Sequence, residues 1–513
     1  MTKIKSFNKN PWFILGVLIT CFVPVVIDAT VLHMAIPPLT LDLKASGNQV
    51  LWMLDIYSLF MAGLLIPMGV LGDKIGHQKL LLYGVIIFTL ASLAAGFSQQ
   101  PFHLILSRIL LAVGGSMIMP TTLAVIRQTF QSEKQRGIAL GIWVVFANGG
   151  AAIGPLLGGI LIDYFSWRAI FLINIPVLLL VIPFVLTLPK SITDASKEWV
   201  LRYALQLIAS IILIVYGIKT IPKNDANLGY GIAGIILGLF LLFLFYKTQR
   251  NCKNSMIDWE LFKSPSVKYG MLFTFIPMTI CSGFELLLSQ ELQLVHHLSP
   301  TQTAFYIAPF FFAFALSGAM GKYLKEIGIV PIIIIGLFLS ALSFFAMSHI
   351  GFAKLTILLL LLLLVGGFGL GIIMLAASFS IMSAADDENA GAAGSLESIS
   401  YEMGVGLGVT FFGVLLSEVF SRKLVLDESV ISSVPRNVYY SINDALVIAE
   451  NLGGDIGSII QLESKIAFKS AHSAVLLTSA IILTFFIFQM TYRHFKHTKR
   501  ASNYRKGLFK ENK

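Results

Sequence analysis

The chain has 513 residues, 56% of them hydrophobic and only 12% charged, with a net charge of +10 and a mean hydropathy of +0.82. A soluble domain carries about 25% charged residues, so this composition excludes a water-soluble globular chain and points to a protein of the bilayer. The three cysteines, Cys21, Cys252 and Cys281, suggest neither a disulfide framework nor a metal site.

Apolar runs of about 20 residues, each long enough to span a bilayer as a helix, recur along the whole chain. They predict an all-α integral membrane protein with fourteen transmembrane helices, at about 12–36, 50–71, 79–97, 102–126, 137–161, 168–188, 199–218, 229–247, 269–293, 302–321, 329–348, 355–383, 393–420 and 468–490. The first run is too long for a cleavable signal, contains Asp28 and lacks a small-residue cleavage site. Lysine and arginine are concentrated in the connections that share a side with both termini, which places both termini in the cytoplasm. The basic tail after 490 follows a membrane helix directly, so anionic lipid suits it better than nucleic acid.

Charges within lipid are costly and therefore mark functional positions. In chain order, Asp28 lies well inside the first predicted helix, with His33 nearer its outer end. Asp55 lies in the outer part of the second. Gly69, Asp73 and Gly76 punctuate the turn before the third, where Asp73 suits a conformational latch on a helix N-terminus or a basic group. Arg108, in the fourth, is the single buried base expected, and its alternatives are tuning a neighbouring acid or a static pair with Asp28 or another acid.

The fifth predicted helix carries Trp143 and then Gly150, Gly154, Pro155, Gly158 and Gly159. Glycines let a neighbouring backbone approach, and the proline bends the helix, so this stripe fits a moving helix contact or tight static packing. Glu285 and Glu291 lie in the ninth, and Glu397, Tyr401 and Glu402 in the thirteenth. Glu402 lies five residues beyond Glu397 and points to a different side, whereas Tyr401 shares the face of Glu397. A carboxylate beside an aromatic face suits a lipophilic cation. The segment 421–467 reads as an external helical hairpin, with one run from Pro435 to Gly453 and Gly454 and another to about 467.

Two glycine patterns repeat at nearly one separation. Gly69 to Gly76 is echoed by Gly321 to Gly328, and Gly150, Gly154 and Gly159 by Gly404, Gly408 and Gly413. The echoes predict two pseudo-symmetric six-helix bundles, 1–190 and 251–490, with two helices inserted at 191–250 and a basic tail at 491–513.

With these residues in view, the chain resembles the fourteen-helix drug:proton antiporter branch of the major facilitator superfamily. The resemblance rests on Ile27 to Pro37, Leu51 to Tyr57, Gly69 to Lys79, Arg108, Gly150 to Gly159, and Trp167-Arg168 followed by Phe171 to Pro176. His77-Gln78 stands where a basic pair is usual, and Ala112 where glycine is common. Gly283 to Gln293 and Leu396 to Gly404 are similar to bacterial pumps for methyl viologen and quaternary ammonium compounds.

The resemblance implies export of lipophilic cations driven by protons across the bacterial inner membrane. It implies proton and cation recognition by Asp28 and by the acids of the ninth and thirteenth helices, Glu285, Glu397 and Glu402; the residues themselves add Asp55 as a further proton or cation site, Arg108 in support, and Trp143, Tyr401 and Tyr57 as aromatics of the substrate cavity. It implies no enzymatic activity, cofactor or metal, and a monomer suffices. No nucleotide-binding glycine loop is visible, which argues against direct ATP coupling. An exporter of an endogenous lipid, peptide or metabolite is the alternative within transport, and a membrane sensor on the same scaffold is the alternative from another class.

Overall fold

The computed structural model describes residues 10–189, 193, 201–221, 228–252, 255, 259–384, 390–431 and 434–511, and all regular structure among them is helical. The first stretch forms α1 (Pro11–Leu43), α2 (Gly47–Ile75), α3 (His77–Gly96), α4 (Pro101–Thr129), α5 (Glu133–Tyr164), α6 (Ala169–Leu172) and α7 (Asn174–Val185). Next come α8 (Leu201–Thr220) and α9 (Leu228–Asn251). The last stretch forms α10 (Pro265–Gln290), α11 (Pro300–Leu316), α12 (Leu324–Ile327), α13 (Ile329–Ile350), α14 (Ile357–Met382), α15 (Ala390–Lys423), α16 (Glu428–Ile431), α17 (Ile442–Leu452) and α18 (Gly454–Glu511).

Thirteen helices among the described residues are long and apolar enough to cross a membrane. The predicted span at 168–188 forms α6 and α7, which meet around Ile173 and together make the apolar helical stretch Ala169–Val185, shorter than those thirteen. The expected hairpin at 421–467 is also different. Its first run forms α17, but its second run is the opening of α18, which continues unbroken through the last apolar stretch.

Helix starts follow local chemistry. Asn10 caps α1 by accepting from the Trp12 amide, with Pro11 at the first helical position. Ser46 with Gln49, and Ser299 with Gln302, form capping boxes at α2 and α11. Gly76 (φ 98°) links α2 to α3, and Gly328 (φ 93°) links α12 to α13 in the same left-handed region, so the first glycine echo is an echo of backbone geometry.

Helices α1 to α7 pack on one another, as do α10 to α15 with α18. The second echo is structural too. Gly150 and Gly154 of α5 lie against Val26 and Thr30 of α1, while Gly404 and Gly408 of α15 lie against Phe275 to Ser282 of α10. The third member of each set faces the other half: Gly159 meets the backbone of Pro300 and Thr301 in α11, and Gly413 meets Leu51 of α2. The two halves therefore join along α2 with α15 and α5 with α11, and α8 packs on both members of the first seam.

The cross-half hydrogen bonds cluster at one end of the bundle, the loop end, where α16 and α17 lie. Asp163 of α5 accepts from the Ser299 hydroxyl (2.8 Å) and the Thr301 amide (3.0 Å). Ser289 donates to the carbonyl of His33 (2.9 Å), and Gln293 to that of Met34 (3.1 Å). The Gly47 amide donates to Asp444 of α17 (3.2 Å). This end is shut.

Candidate functional site

Between the halves, Arg108 of α4 donates to Asp28 of α1, and both side chains are almost completely buried, at 1% exposure. The Arg108 Nε also donates to the Met53 carbonyl (3.2 Å), and its guanidinium lies 4.4 Å from the centre of the Tyr57 ring. Tyr57 in turn donates to the Val25 carbonyl (3.2 Å). The guanidinium fork thus holds Asp28, α2 and Tyr57 in one arrangement, which a point charge could not do. The pairing read from sequence as an alternative for Arg108 is the one present.

The other half brings Glu402 of α15 to this cluster. It is buried, within the electrostatic reach of Arg108 and beside the Ser58 hydroxyl. Tyr401 lies next to it and also senses Glu285. Glu285 of α10 pairs with His33 of α1 (3.2 Å), again across the two halves. One carboxylate oxygen each of Asp28, Glu285 and Glu402 is buried with no hydrogen-bond partner among the described residues. Such groups are costly unless they are paired, protonated or bound to a cation, so they are chemically available acceptors.

The remaining candidates divide. Glu397 is half-buried, apart from this cluster, and accepts from Ser378 of α14. Trp143 donates to Thr122 (3.2 Å) and stacks on Phe22 at 4.3 Å between α1, α4 and α5. Glu291 is held by His472 (2.5 Å) and His296 (3.3 Å). Asp73 meets His77 at 3.2 Å, at the N-terminus of α3, so the histidine standing in the unusual position takes up the acid itself. Gln78 beside it donates to the carbonyls of Val185 (3.2 Å) and Leu186 (3.0 Å), closing the end of α7. Gly69 has open space around it, and Gly158 packs on Val31.

Asp55 has partners that its sequence surroundings do not indicate. It is fully buried and pairs with Lys219 of α8 at 2.6 Å, while Thr410 of α15 donates to the same oxygen at 2.6 Å. Arg108 is therefore not the single buried base. Lys219 stands at the end of an apolar run, where sequence reads it as a loop residue, and only the docking of α8 buries it.

The family described as Major Facilitator Superfamily matches this chain over residues 18–409. The chain belongs to that superfamily. It is a multi-pass membrane transporter, not an enzyme. It is 40% identical to the methyl viologen resistance protein SmvA of Salmonella typhimurium, over 92% of this chain and 96% of that one. It is 28% identical to the multidrug efflux pump LfrA of Mycolicibacterium smegmatis, over 93% of this chain and 96% of that one. A solved bacterial homologue of the human lysosomal transporter Spinster shares the fold, with a TM-score of 0.68, 17% identity and coverage of 95% of this chain and 98% of that one. At the level of the superfamily the resemblance seen in the motifs is thus a membership, and α1, α2, α4, α5, α10 and α15 supply the buried cluster.

Proposed function

We propose that this chain is a proton-coupled antiporter that exports lipophilic cations, such as quaternary ammonium biocides, cationic dyes and methyl viologen, by alternating access. The observation that carries this reading is the buried cluster in which Asp28, Glu285 and Glu402 converge from both halves around Arg108, Tyr57 and Tyr401. Acids with unpartnered oxygens can exchange a proton for a cation. The aromatic rings offer a π-face to a substrate that is both apolar and positive. The 40% identity to a methyl viologen resistance protein supports the same class.

The moving units in this reading are the halves 1–190 and 251–490, with 191–250 inserted, 491–513 as a basic tail and Gly150, Gly154, Pro155, Gly158 and Gly159 at the working contacts. Both termini lie in the cytoplasm of a bacterial inner membrane, and one chain suffices. Protons entering from outside neutralise Asp28 and at least one of Glu285, Glu397 and Glu402, and a cation from the inside displaces them. A proton moved through the potential supplies about 2.3 kcal/mol per 100 mV.

In everted membrane vesicles holding a respiratory pH gradient, ethidium, benzalkonium or methyl viologen should dissipate the gradient with the wild-type protein. Asp28→Asn and Glu285→Gln at matched expression should lose the response. A wild type indifferent to all three cations, with the gradient sound, would move the search to lipids and endogenous metabolites.

A further inference from the structure

The seam between α2 and α15 has a third participant. At the loop end, Lys219 of α8 and Thr410 of α15 converge on one oxygen of Asp55 in α2, and the Lys219 ammonium lies 3.8 Å from the centre of the Trp52 ring. Lys219 is 2% exposed and Asp55 is 0% exposed. Below them, Leu59 of α2 and Ile211 and Val215 of α8 form an apolar cluster with Leu407 of α15 packed against it. The inserted helix is thus fastened across the line along which the two halves meet, by one buried ion pair and an apolar stripe.

We propose that Lys219 is a positioning residue of the transport cycle: its ion pair with Asp55 registers the inserted helix on the α2–α15 seam and keeps that seam able to reopen. This rests on the alternating-access reading, in which the loop end must part once per cycle. The physical argument concerns depth. A buried ion pair loses much of its attraction to desolvation, and replacing such a pair by apolar residues of similar size is often neutral or stabilising. The shut seam therefore contains two charges that regain hydration when it parts, and Thr410 loses its acceptor as they do. An all-apolar seam would close more deeply and reopen more slowly. Asp55 then serves as the partner in a joint: Lys219 and Thr410 both hold one of its oxygens, and the other has no hydrogen-bond partner among the described residues.

The test compares Asp55→Asn, Lys219→Met and the double variant Asp55→Leu/Lys219→Met, with tetraphenylphosphonium as the probe cation. Each single change strands a buried charge, so each should lower the melting temperature and cut turnover in proteoliposomes by about tenfold or more. The double variant should melt at or above wild type and bind the probe with unchanged affinity. Its turnover should nevertheless stay about tenfold down, because the shut state has become too stable.

A second readout does not depend on what is carried. Leu51→Cys, in a chain whose Cys21, Cys252 and Cys281 are alanine, places a thiol in the seam opposite Gly413. Its reaction with an impermeant maleimide from the loop side should slow by about tenfold when the Asp55→Leu/Lys219→Met pair is added. Lys219→Arg, which keeps the charge, should retain most of the parent labelling rate. Recovery of both stability and turnover in the double variant would make the pair merely structural and overturn the proposal. So would equal labelling rates with and without the pair. If wild type neither binds nor moves the probe, the cation-export reading fails, and the labelling rates alone still decide the role of Lys219.

Discussion

Arg108→Gln should abolish transport and destabilise the protein, and it is the single substitution with the largest expected effect. The guanidinium is the partner of Asp28, holds the Met53 carbonyl and lies over Tyr57, with all of these groups buried. Removing one member of a buried pair leaves the other uncompensated, at a cost of about 3–5 kcal/mol. That corresponds to a factor of about a hundred or more in the equilibrium between this arrangement and its alternatives. A lowered melting temperature of the purified protein and loss of cation-driven gradient collapse in everted vesicles check the two parts. The double variant Asp28→Asn/Arg108→Gln separates them. It has no stranded charge, so its stability should return towards wild type, but with no carboxylate at position 28 transport should stay lost. A double variant that transports would remove Asp28 from the coupling mechanism.

That separation matters because the pair was an open alternative in the sequence. Asp28 and Arg108 could each be identified as intramembrane charges from hydropathy alone, since nothing else in their runs is charged. Whether they meet depends on how α1 and α4 are rotated, which the small apolar periodicity of helices buried on most sides does not record. The glycine spacing was more informative. Glycines that admit a neighbouring backbone have few substitutes, so both echoes reappear as packing of α5 on α1 and α15 on α10, and as the paired left-handed geometries of Gly76 and Gly328. Lys219 stayed hidden for the opposite reason. A lysine one residue past an apolar run has the sequence environment of an interfacial anchor, and its burial comes from α2 and α15, which lie far away in the chain. The continuity of α18 was obscured in the same way: Asp455, Glu463 and Lys465 make the run to about 467 read as an external helix separate from the span at 468–490, although one helix tolerates them where it runs beyond the bilayer. Helical spacing already put Glu397 and Glu402 on different sides, but which side meets the other half is visible only from their neighbours, Ser378 for one and Ser58 with Arg108 for the other.

Gly159→Val should act on the cycle without touching any acid of the cluster. A side chain at 159 would bring its first carbon within 2.7 Å of the Pro300 carbonyl oxygen and 2.9 Å of the Thr301 Cα. These are backbone atoms in the first turn of a capped helix and cannot rotate away. One turn further along the same face of α5, Asp163 accepts from Ser299 and from the Thr301 amide, so it caps the start of α11 from the other half. The substitution forces α5 and α11 apart at the point where those two bonds are made. Overpacking of this kind costs about 1–3 kcal/mol, and the strain exists only while the loop end is shut. The shut state is therefore disfavoured by about fivefold to a hundredfold or more relative to the state open at the loop end. Three results should appear together. Turnover in proteoliposomes falls, amide exchange over 299–303 rises in the solubilised protein, and the melting temperature changes less than for Arg108→Gln. Ordinary static packing would give a different pattern, in which the melting temperature and turnover fall together while exchange at 299–303 rises no more than elsewhere in α11. Asp163→Asn weakens the same joint without adding bulk, so it should raise exchange over 299–303 as well, and to a smaller extent.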